Sequence, residues 1–230
     1  MIRLTEHTLH NLDLFAGLGR DEITAVLDIV NVRAFRAGQI IFRPGDASDR
    51  LMLLHHGTVK TYIHVGGQER IMHVFQPGDA FCGLLFGTRH GDLPWAEAMT
   101  DAVVCIMDEA AFMRFMVNFP RLCLNLFRYM ADHHAADMRR IEGLLQANAT
   151  HRLIHVLLEI GHRLGYDHAD VFALDPTFTQ EDLASMIGVA RPTVSTMIND
   201  LRRLGVLSGS GRNLIVHRQA ALQFLNDDNF

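Results

Sequence analysis

Residues 179–204, TQEDLASMIGVARPTVSTMINDLRRL, decide the fold of the C-terminal part of this chain, because their spacing predicts two short helices joined by a tight turn. Thr179 and Asp182 have the spacing of a capping box, in which each side chain accepts a hydrogen bond from the other residue's backbone N–H. Gly188 stands where the first helix needs a residue that tolerates positive φ. Pro192 falls in the first turn of the second helix, where a missing N–H costs little. The stretch therefore predicts a helix-turn-helix.

The second of these helices has one apolar and one polar side. Val194, Ile198 and Leu201 recur at i, i+4 and i+7 and are predicted to be buried. An arginine at the start of such a helix can reach guanine O6 and N7, and hydroxyl or amide groups can reach phosphates or base edges. The candidates for DNA contact on the outer side are Arg191, Pro192, Thr193, Ser195, Thr196, Asn199 and Arg202.

A short helix-turn-helix pattern alone has many false positives, so the residues that follow it matter. Residues 206–208 and 214–216 are apolar runs around a glycine turn, which predicts two strands and hence a winged helix. Arg212 in that turn is a further DNA-contact candidate. From Leu183 to Arg218 the basic residues outnumber the single acid, Asp200. They are Arg191, Arg202, Arg203, Arg212 and Arg218.

The whole chain carries a formal charge of −5, so its predicted affinity for double-stranded DNA depends on this local basic face. Its 230 residues suit two domains. No apolar run approaches the roughly 20 residues of a membrane-spanning helix, and the N-terminus lacks the apolar segment of a secretory signal. The three cysteines, Cys82, Cys105 and Cys123, are too scattered for a disulfide framework or a metal knuckle. These features predict a cytoplasmic protein that does not contact the membrane.

The N-terminal half changes its apolar period near Val32. Residues 8–30 have the spacing of short helices, whereas short apolar runs separated by glycine or proline follow from there. Many short strands at regular spacing predict a small jelly roll. The strand-like runs are 39–42, 51–54, 59–63, 71–75 and 102–107.

A helical period returns near Phe112 and persists to about Ala147. Within it, apolar positions alternate spacings of three and four, as in the seam of a two-stranded coiled coil. Packing of this helix on its own jelly roll remains an alternative, because Cys123, Leu126 and Met130 form a second apolar side. The predicted dimer-interface residues are Leu124, Phe127, Ala131, His134, Met138, Ile141 and Leu145.

These patterns together predict an α+β fold with three parts. Residues 1–112 form a jelly-roll effector domain, residues 113–147 a dimerisation helix, and residues 148–230 a winged-helix DNA-binding domain. Asn148 is placed to cap the first helix of the third part.

This arrangement resembles the cyclic-AMP receptor protein/FNR family of bacterial transcription regulators over nearly the whole chain. The most specific pieces are FRAGQIIFRPGDASDRLMLLHHGTVK at 35–60, QPGDAF at 76–81 and the helix-turn-helix. The resemblance implies a cyclic-nucleotide-binding-like jelly roll that takes a small-molecule effector, a homodimer built on the long helix, a palindromic DNA site, and RNA polymerase as a further partner. Arg191 matches the family's guanine-reading arginine, and the run from Arg191 to Thr196 is similar to that of the family's carbon-monoxide sensor.

The effector region departs from the members that bind cyclic AMP. The arginine-serine pair that holds the phosphate in those members is replaced by Asp92-Leu93, and an aspartate repels a phosphodiester. We therefore predict an effector other than cyclic AMP, either a small apolar molecule or a gas bound through haem. The predicted pocket residues are Cys82, Gly83, Leu84, Leu85, Phe86, Leu93, Trp95, Met130, Asp137 and Met138.

The resemblance supports haem binding only in part. Cys82 matches the haem-ligand cysteine of the carbon-monoxide sensor in position, but Leu84 stands where that sensor has its second ligand, a histidine. His7 or His10 are alternative ligands, and a buried structural cysteine is the simpler interpretation of Cys82. No iron–sulfur cluster is expected, because the N-terminal cysteine cluster that it needs is missing.

A metal enzyme of the cupin type is the alternative function, since cupins are also jelly rolls. Such enzymes need a His-x-His pair that converges with a glutamate and a further histidine on one metal. The predicted jelly roll has no His-x-His, and the adjacent pairs His55-His56 and His133-His134 point in different directions. The sequence therefore favours a DNA-binding regulator over an enzyme.

Overall fold

The computed structural model describes residues 13–46, 50–82, 94–145, 148–166, 168–210 and 213–227. The chain divides into two units. The first consists of Met1–His64 and Ile71–His133, and the second of Val65–Arg70 and His134–Phe230. The division into domains at 112 and 147 stays a prediction.

The first unit contains two four-stranded sheets, ordered β1-β8-β3-β6 and β2-β7-β4-β5. A buried cluster joins them, with Leu54 and Val104 from the first sheet packed against Val59 and Ala96 from the second. This is the predicted jelly roll. Its strands are β1 (Asn31–Phe35), β2 (Ile40–Phe42), β3 (Arg50–His56), β4 (Val59–Val65), β5 (Gln68–Phe75), β6 (Ala80–Cys82), β7 (Trp95–Ala98) and β8 (Ala102–Asp108).

The turn between β3 and β4 depends on Gly57. Its φ is +87°, and a Cβ added there would lie 2.3 Å from the carbonyl oxygen of Asp101. Only glycine combines this conformation with so close an approach of two backbone segments. The turn fixes the register of β4, which carries inward-facing residues of the jelly roll.

The helical stretch predicted to begin near Phe112 is two helices. Asn118 ends the first and Pro120 starts the second, because proline is tolerated in a first turn but not inside a helix. The predicted start of the long helix at 113 is therefore wrong. The helices of this region are a 3₁₀ turn (Asp13–Phe15), α1 (Arg20–Ile29), α2 (Glu109–Asn118) and α3 (Pro120–Leu144).

The first turns of α3 pack on the core of the first unit. Leu122 and Tyr129 belong to a buried cluster that also contains Leu14 and Met107. The buried Asn125 donates from Nδ2 to the carbonyl oxygens of Leu14 and Ala16, at 3.1 and 2.9 Å. Side chains on one side of α3 thus fix the helix to the jelly-roll unit.

The second unit combines short helices with a three-stranded sheet ordered β10-β11-β9. The predicted cap at Asn148 is confirmed, since its side chain accepts a hydrogen bond of 2.8 Å from the backbone N–H of Thr150. Gly161 allows the ring of Phe172 to pack on the helix, because a Cβ there would lie 2.4 Å from that ring. The elements are α4 (Ala149–Arg163), β9 (Val171–Ala173), α5 (Gln180–Ile187), α6 (Arg191–Arg203), β10 (Leu207–Ser208), β11 (Ile215–His217) and α7 (Arg218–Asp227).

Among the residues described above, no helix is both long enough and apolar enough to cross a bilayer.

Candidate nucleic-acid interface and effector region

Helices α5 and α6 meet at the turn that the sequence predicts. The hydroxyl of Thr179 accepts from the N–H of Asp182 at 3.1 Å, and the carboxylate of Asp182 accepts from the N–H of Thr179 at 2.9 Å. Gly188 has φ 73° and ψ 32°, the left-handed conformation expected after a helix. The predicted capping box and glycine turn are therefore confirmed.

Helix α6 buries one side in the second unit. Val194 and Leu201 are fully buried, and Ile198 and Met197 are nearly so. Spacings of three and four residues place these side chains on one face. Met197 was missed as a buried position, because the sequence-based pattern followed only the i, i+4, i+7 series.

The other side of α6 faces outward at its N-terminal end. Ser195 is half-buried, and the remaining predicted contacts of the first two turns are exposed. Since the N-terminal residues of a recognition helix are the ones that meet base edges, this end has the exposure that DNA contact requires. The exposed side chains are Arg191, Pro192, Thr193, Thr196 and Asn199.

Arg202, also a predicted contact, is less exposed than the residues at the N-terminal end of α6. It is half-buried, its Nη1 donates to Oδ1 of Asn199 at 3.3 Å, and its buried Nε has no hydrogen-bond partner among the described residues. Its position four residues after Ile198 brings it next to the buried face. The exposed arginine at the C-terminal end of α6 is Arg203, which pairs with Asp200.

The predicted wing forms from β10 and β11, with Leu207 opposite Val216. Each strand lies within one residue of its predicted bounds. Gly209 at the start of the turn has φ +83°, and a Cβ there would lie 2.0 Å from the carbonyl oxygen of Asn213. Arg212, the predicted wing contact, lies outside the described residues.

Strand β9 was not predicted, although it completes the sheet of the wing by pairing with β11. Its three residues, Val171 to Ala173, form a run too short for alternation to indicate a strand. Pairing with β11, far along the chain, is what makes them a strand.

The interior of the jelly roll holds an unexpected polar group. Thr61 follows Val59 on the inward face of β4 and lies opposite the fully buried Ala96. Its Oγ1 is buried and has no hydrogen-bond partner among the described residues. A buried hydroxyl without a partner is destabilising, so it marks a position where a ligand atom would be favourable. The alternation of β4 is a signal that could have indicated Thr61, which was not among the predicted pocket residues.

Trp95, a predicted pocket residue, does not face the interior of the jelly roll. Ala96 next to it points inward, so the Trp95 side chain lies on the opposite face of the sheet. There its ring stacks on Tyr62, with centroids 6.1 Å apart, and the guanidinium of Arg43 lies 5.9 Å from the ring centroid.

The structure describes only some of the other predicted pocket residues. Cys82 is the last residue of β6 and lies opposite Leu51. On α3, Met130 and Met138 are exposed and Asp137 is half-buried. The candidates outside the described residues are Gly83, Leu84, Leu85, Phe86, Leu93 and the alternative haem ligands His7 and His10.

Cys105 contributes to packing. It is buried in the core of the first unit, and burial raises the pKa of its thiol to about 12. A thiol that stays protonated is a poor nucleophile and a poor metal ligand. No group of three or more histidine, cysteine or acidic side chains suited to a metal ion occurs among the residues with described positions.

The predicted interface residues form an exposed stripe along α3 and the residue after it. Phe127 is 70% exposed and Leu145 is 79% exposed, unusually high values for large apolar side chains. All seven predicted seam positions are exposed. They are Leu124, Phe127, Ala131, His134, Met138, Ile141 and Leu145.

Comparison with known proteins identifies both units. Residues 32–119 match the cyclic nucleotide-binding domain, and residues 151–225 match the Crp-like helix-turn-helix domain. The chain is 25% identical to the anaerobic regulatory protein of Aggregatibacter actinomycetemcomitans, over 86% of this chain and 77% of that protein. It is 22% identical to a CRP-like cAMP-activated global transcriptional regulator of Mycobacterium tuberculosis, over 92% and 95% of the two chains.

A solved structure shows the same fold. A CooA mutant from Carboxydothermus hydrogenoformans superposes with a TM-score of 0.73 at 24% identity, covering 87% of this chain and 89% of that one. A jelly roll of the cyclic nucleotide-binding type followed by a Crp-like helix-turn-helix defines a DNA-binding transcription regulator and not an enzyme. The chain belongs to the CRP/FNR family of transcription regulators.

Proposed function

We propose that this protein is a cytoplasmic homodimer that binds a palindromic DNA site, works with RNA polymerase, and responds to an effector other than cyclic AMP. The observation that carries the DNA part is the exposed N-terminal end of α6. Arg191 there is the first residue of the helix and is exposed, with Thr193 and Thr196 beside it. A helix end of this composition suits direct contact with base edges in the major groove.

The dimer is supported by the stripe on α3. Monomeric proteins rarely expose contiguous apolar surface of this kind, and the spacing of the stripe is that of a two-stranded coiled coil. A twofold dimer presents the same stripe from each chain to the other. We therefore assign the stripe to a second copy of this chain.

A twofold dimer has a consequence for the DNA site. The two recognition helices must reach successive major grooves on one side of the duplex, which requires half-sites centred about 10 bp apart. Selection from a random DNA library with the full-length protein is expected to return a palindrome of that spacing with a guanine in each half. Enrichment of an asymmetric or single half-site would contradict the proposal.

The proposal about the effector rests on the charge and polarity of the residues that would contact it. Asp92-Leu93 offers no cation to a cyclic phosphate. The inward face near Thr61 is apolar, with Val59, Ala96 and Ala98 around one hydroxyl. An uncharged, largely apolar molecule with one hydrogen-bonding group fits these features better than a nucleotide.

Haem, with Cys82 and His7 or His10 as ligands, is the second candidate for the effector site. The support for this candidate is the place of Cys82 in the chain, at the end of β6. When bound, haem would supply a gas-binding iron. The absorption spectrum of the purified protein separates the two candidates, because a Soret band assigns haem and an organic mass by mass spectrometry assigns a small molecule.

Cyclic AMP up to millimolar concentration is expected to leave the midpoint of thermal unfolding and the DNA affinity unchanged. A ligand that does not bind the native state cannot shift its stability. Calorimetry and thermal unfolding check this, with a cyclic-AMP-dependent relative measured in parallel as the positive control. Saturable micromolar binding of cyclic AMP would overturn the effector proposal without affecting the DNA part.

A further inference from the structure

A cavity of about 430 Å³ lies within the second unit, and neither DNA contact nor the jelly-roll effector uses it. The last turns of α3, one side of α4 and the first turns of α7 form its walls. Its size falls within the usual range for small-molecule pockets. Apolar side chains line part of it, among them Leu144, Val156 and Leu222.

The polar part of the lining is strongly basic. Arg139 and Arg140 enter from α3, Arg152 from α4 and Arg218 from α7. Glu159 is the single carboxylate among the described lining residues. Arginines from three different helices thus line one space, and guanidinium groups are donors that suit carboxylate and phosphate oxygens.

The electrostatic surroundings favour a further negative charge. Burial lowers the pKa of Arg140, the nearby Arg163 lowers it further, and Glu159 and Asp137 raise it. The net direction is downward because burial outweighs these two carboxylates. The lining sets this buried cation and three further arginines against one carboxylate, and this balance of charge favours an anion.

His155, one of two histidines in the cavity wall, adds little to this charge. Burial, together with the nearby His151, lowers the pKa of His155 from its ordinary value of 6.5, and Glu142 raises it. His155 is therefore neutral at pH 7 and does not add to the charge of the arginines. Gly143 brings α3 against this histidine, since a Cβ there would lie 3.1 Å from the His155 Cβ.

Arg152 connects the cavity to the DNA-binding element. Its Nε donates to the carbonyl oxygen of Ile187 at 3.3 Å. Ile187 is the last residue of α5, directly before the Gly188 turn that sets the angle of the recognition helix. A ligand that accepts hydrogen bonds from the Arg152 guanidinium would compete with this hydrogen bond and so change how the end of α5 is held.

We propose that this cavity binds a small organic anion with at least two negative charges, on phosphate or carboxylate groups, and that Arg152 transmits its binding to the helix-turn-helix. The site is separate from the jelly roll and stands independently of the effector proposed there. The anion would contact Arg152 differently in two arrangements of this side chain, and this difference would couple anion binding to the helix-turn-helix.

The test uses the full-length protein without DNA and two probes, inorganic pyrophosphate and citrate. Calorimetry is expected to show saturable binding of at least one of them, and the thermal midpoint should rise with its concentration. Sodium chloride at equal ionic strength should not reproduce this. Tighter binding of pyrophosphate assigns phosphate esters as the class of ligand, and tighter binding of citrate assigns polycarboxylates.

Two variants locate the site. Arg139→Gln removes an exposed lining arginine and should weaken binding roughly tenfold, the loss of one charge-assisted hydrogen bond. Leu222→Glu places a carboxylate in the cavity and should abolish binding. Arg203→Gln is the matched control, because it removes the same charge from an exposed position on α6 that does not line the cavity.

Three results would overturn the proposal. They are equal effects of sodium chloride and the probes, equal loss of binding in Arg139→Gln and Arg203→Gln, or loss of DNA affinity in Arg139→Gln with anion binding intact. The last result would place the cavity arginines on the DNA backbone. None of the three bears on the recognition helix or on the jelly-roll effector.

Discussion

Ile141→Asp is expected to convert the protein from a dimer into a monomer. Ile141 lies in the exposed apolar stripe on α3 and is 49% exposed in the single chain. A carboxylate at that position costs little in the folded monomer, whereas burying it without a partner in an interface costs several kcal/mol. Sedimentation velocity measures the change directly.

DNA binding should fall with dimerisation. A dimer holds its second recognition helix near the second half-site, and this linkage raises the affinity by roughly 10²–10⁴-fold over one helix alone. Ile141→Asp is expected to lose most of this factor on a palindrome. On a single half-site the variant and the original protein should bind with similar affinity.

Val117→Asp is the matched control for this prediction. Val117 is 77% exposed on α2 and lies outside the stripe. The same substitution there should leave both the dimer and the DNA affinity intact, which separates the effect of assembly from that of surface charge. A monomeric original protein that still binds a palindrome tightly would contradict the assignment of the stripe.

The helix-turn-helix was predictable because its signals are local. The capping box of Thr179 and Asp182, the left-handed Gly188 and the proline in the first turn of α6 each act within four residues. The strand-like runs of the jelly roll were found for the same reason, since alternation and turn residues are read within one segment.

The features that the sequence did not indicate depend on distant segments. Trp95 points outward because β7 pairs in a register that sends Ala96 inward, and no residue near Trp95 specifies that register. The cavity of the second unit requires three helices to converge, and its link to Ile187 joins residues that are 35 positions apart. The sequence contained these arginines without indicating that they meet.

The start of α3 is a different kind of error, since the signal was present. Pro120 stands inside an otherwise continuous apolar period, and proline is poorly tolerated in a helix interior. The period was extended across it because α2 and α3 follow each other with one residue between them.

The expected effect of Arg191→Ala is a loss of about 1–3 kcal/mol in DNA binding and relaxed selectivity at one guanine of each half-site. Arg191 is the first residue of α6 and is exposed, so its guanidinium can make two parallel hydrogen bonds to guanine O6 and N7. Alanine keeps the helix and removes both bonds. Fluorescence anisotropy titrations on the selected palindrome, and on versions with that guanine replaced, measure both effects.

Arg203→Ala provides the control for charge, because it removes the same cation from the other end of the same helix. The Arg203 side chain is 78% exposed and pairs with Asp200. Its loss should weaken all DNA sequences alike and only slightly, with a smaller dependence on salt. The two variants thus separate base contact from general attraction to DNA. If Arg191→Ala instead behaved like Arg203→Ala, with base preference untouched, the N-terminal end of α6 would not be the part that reads the sequence.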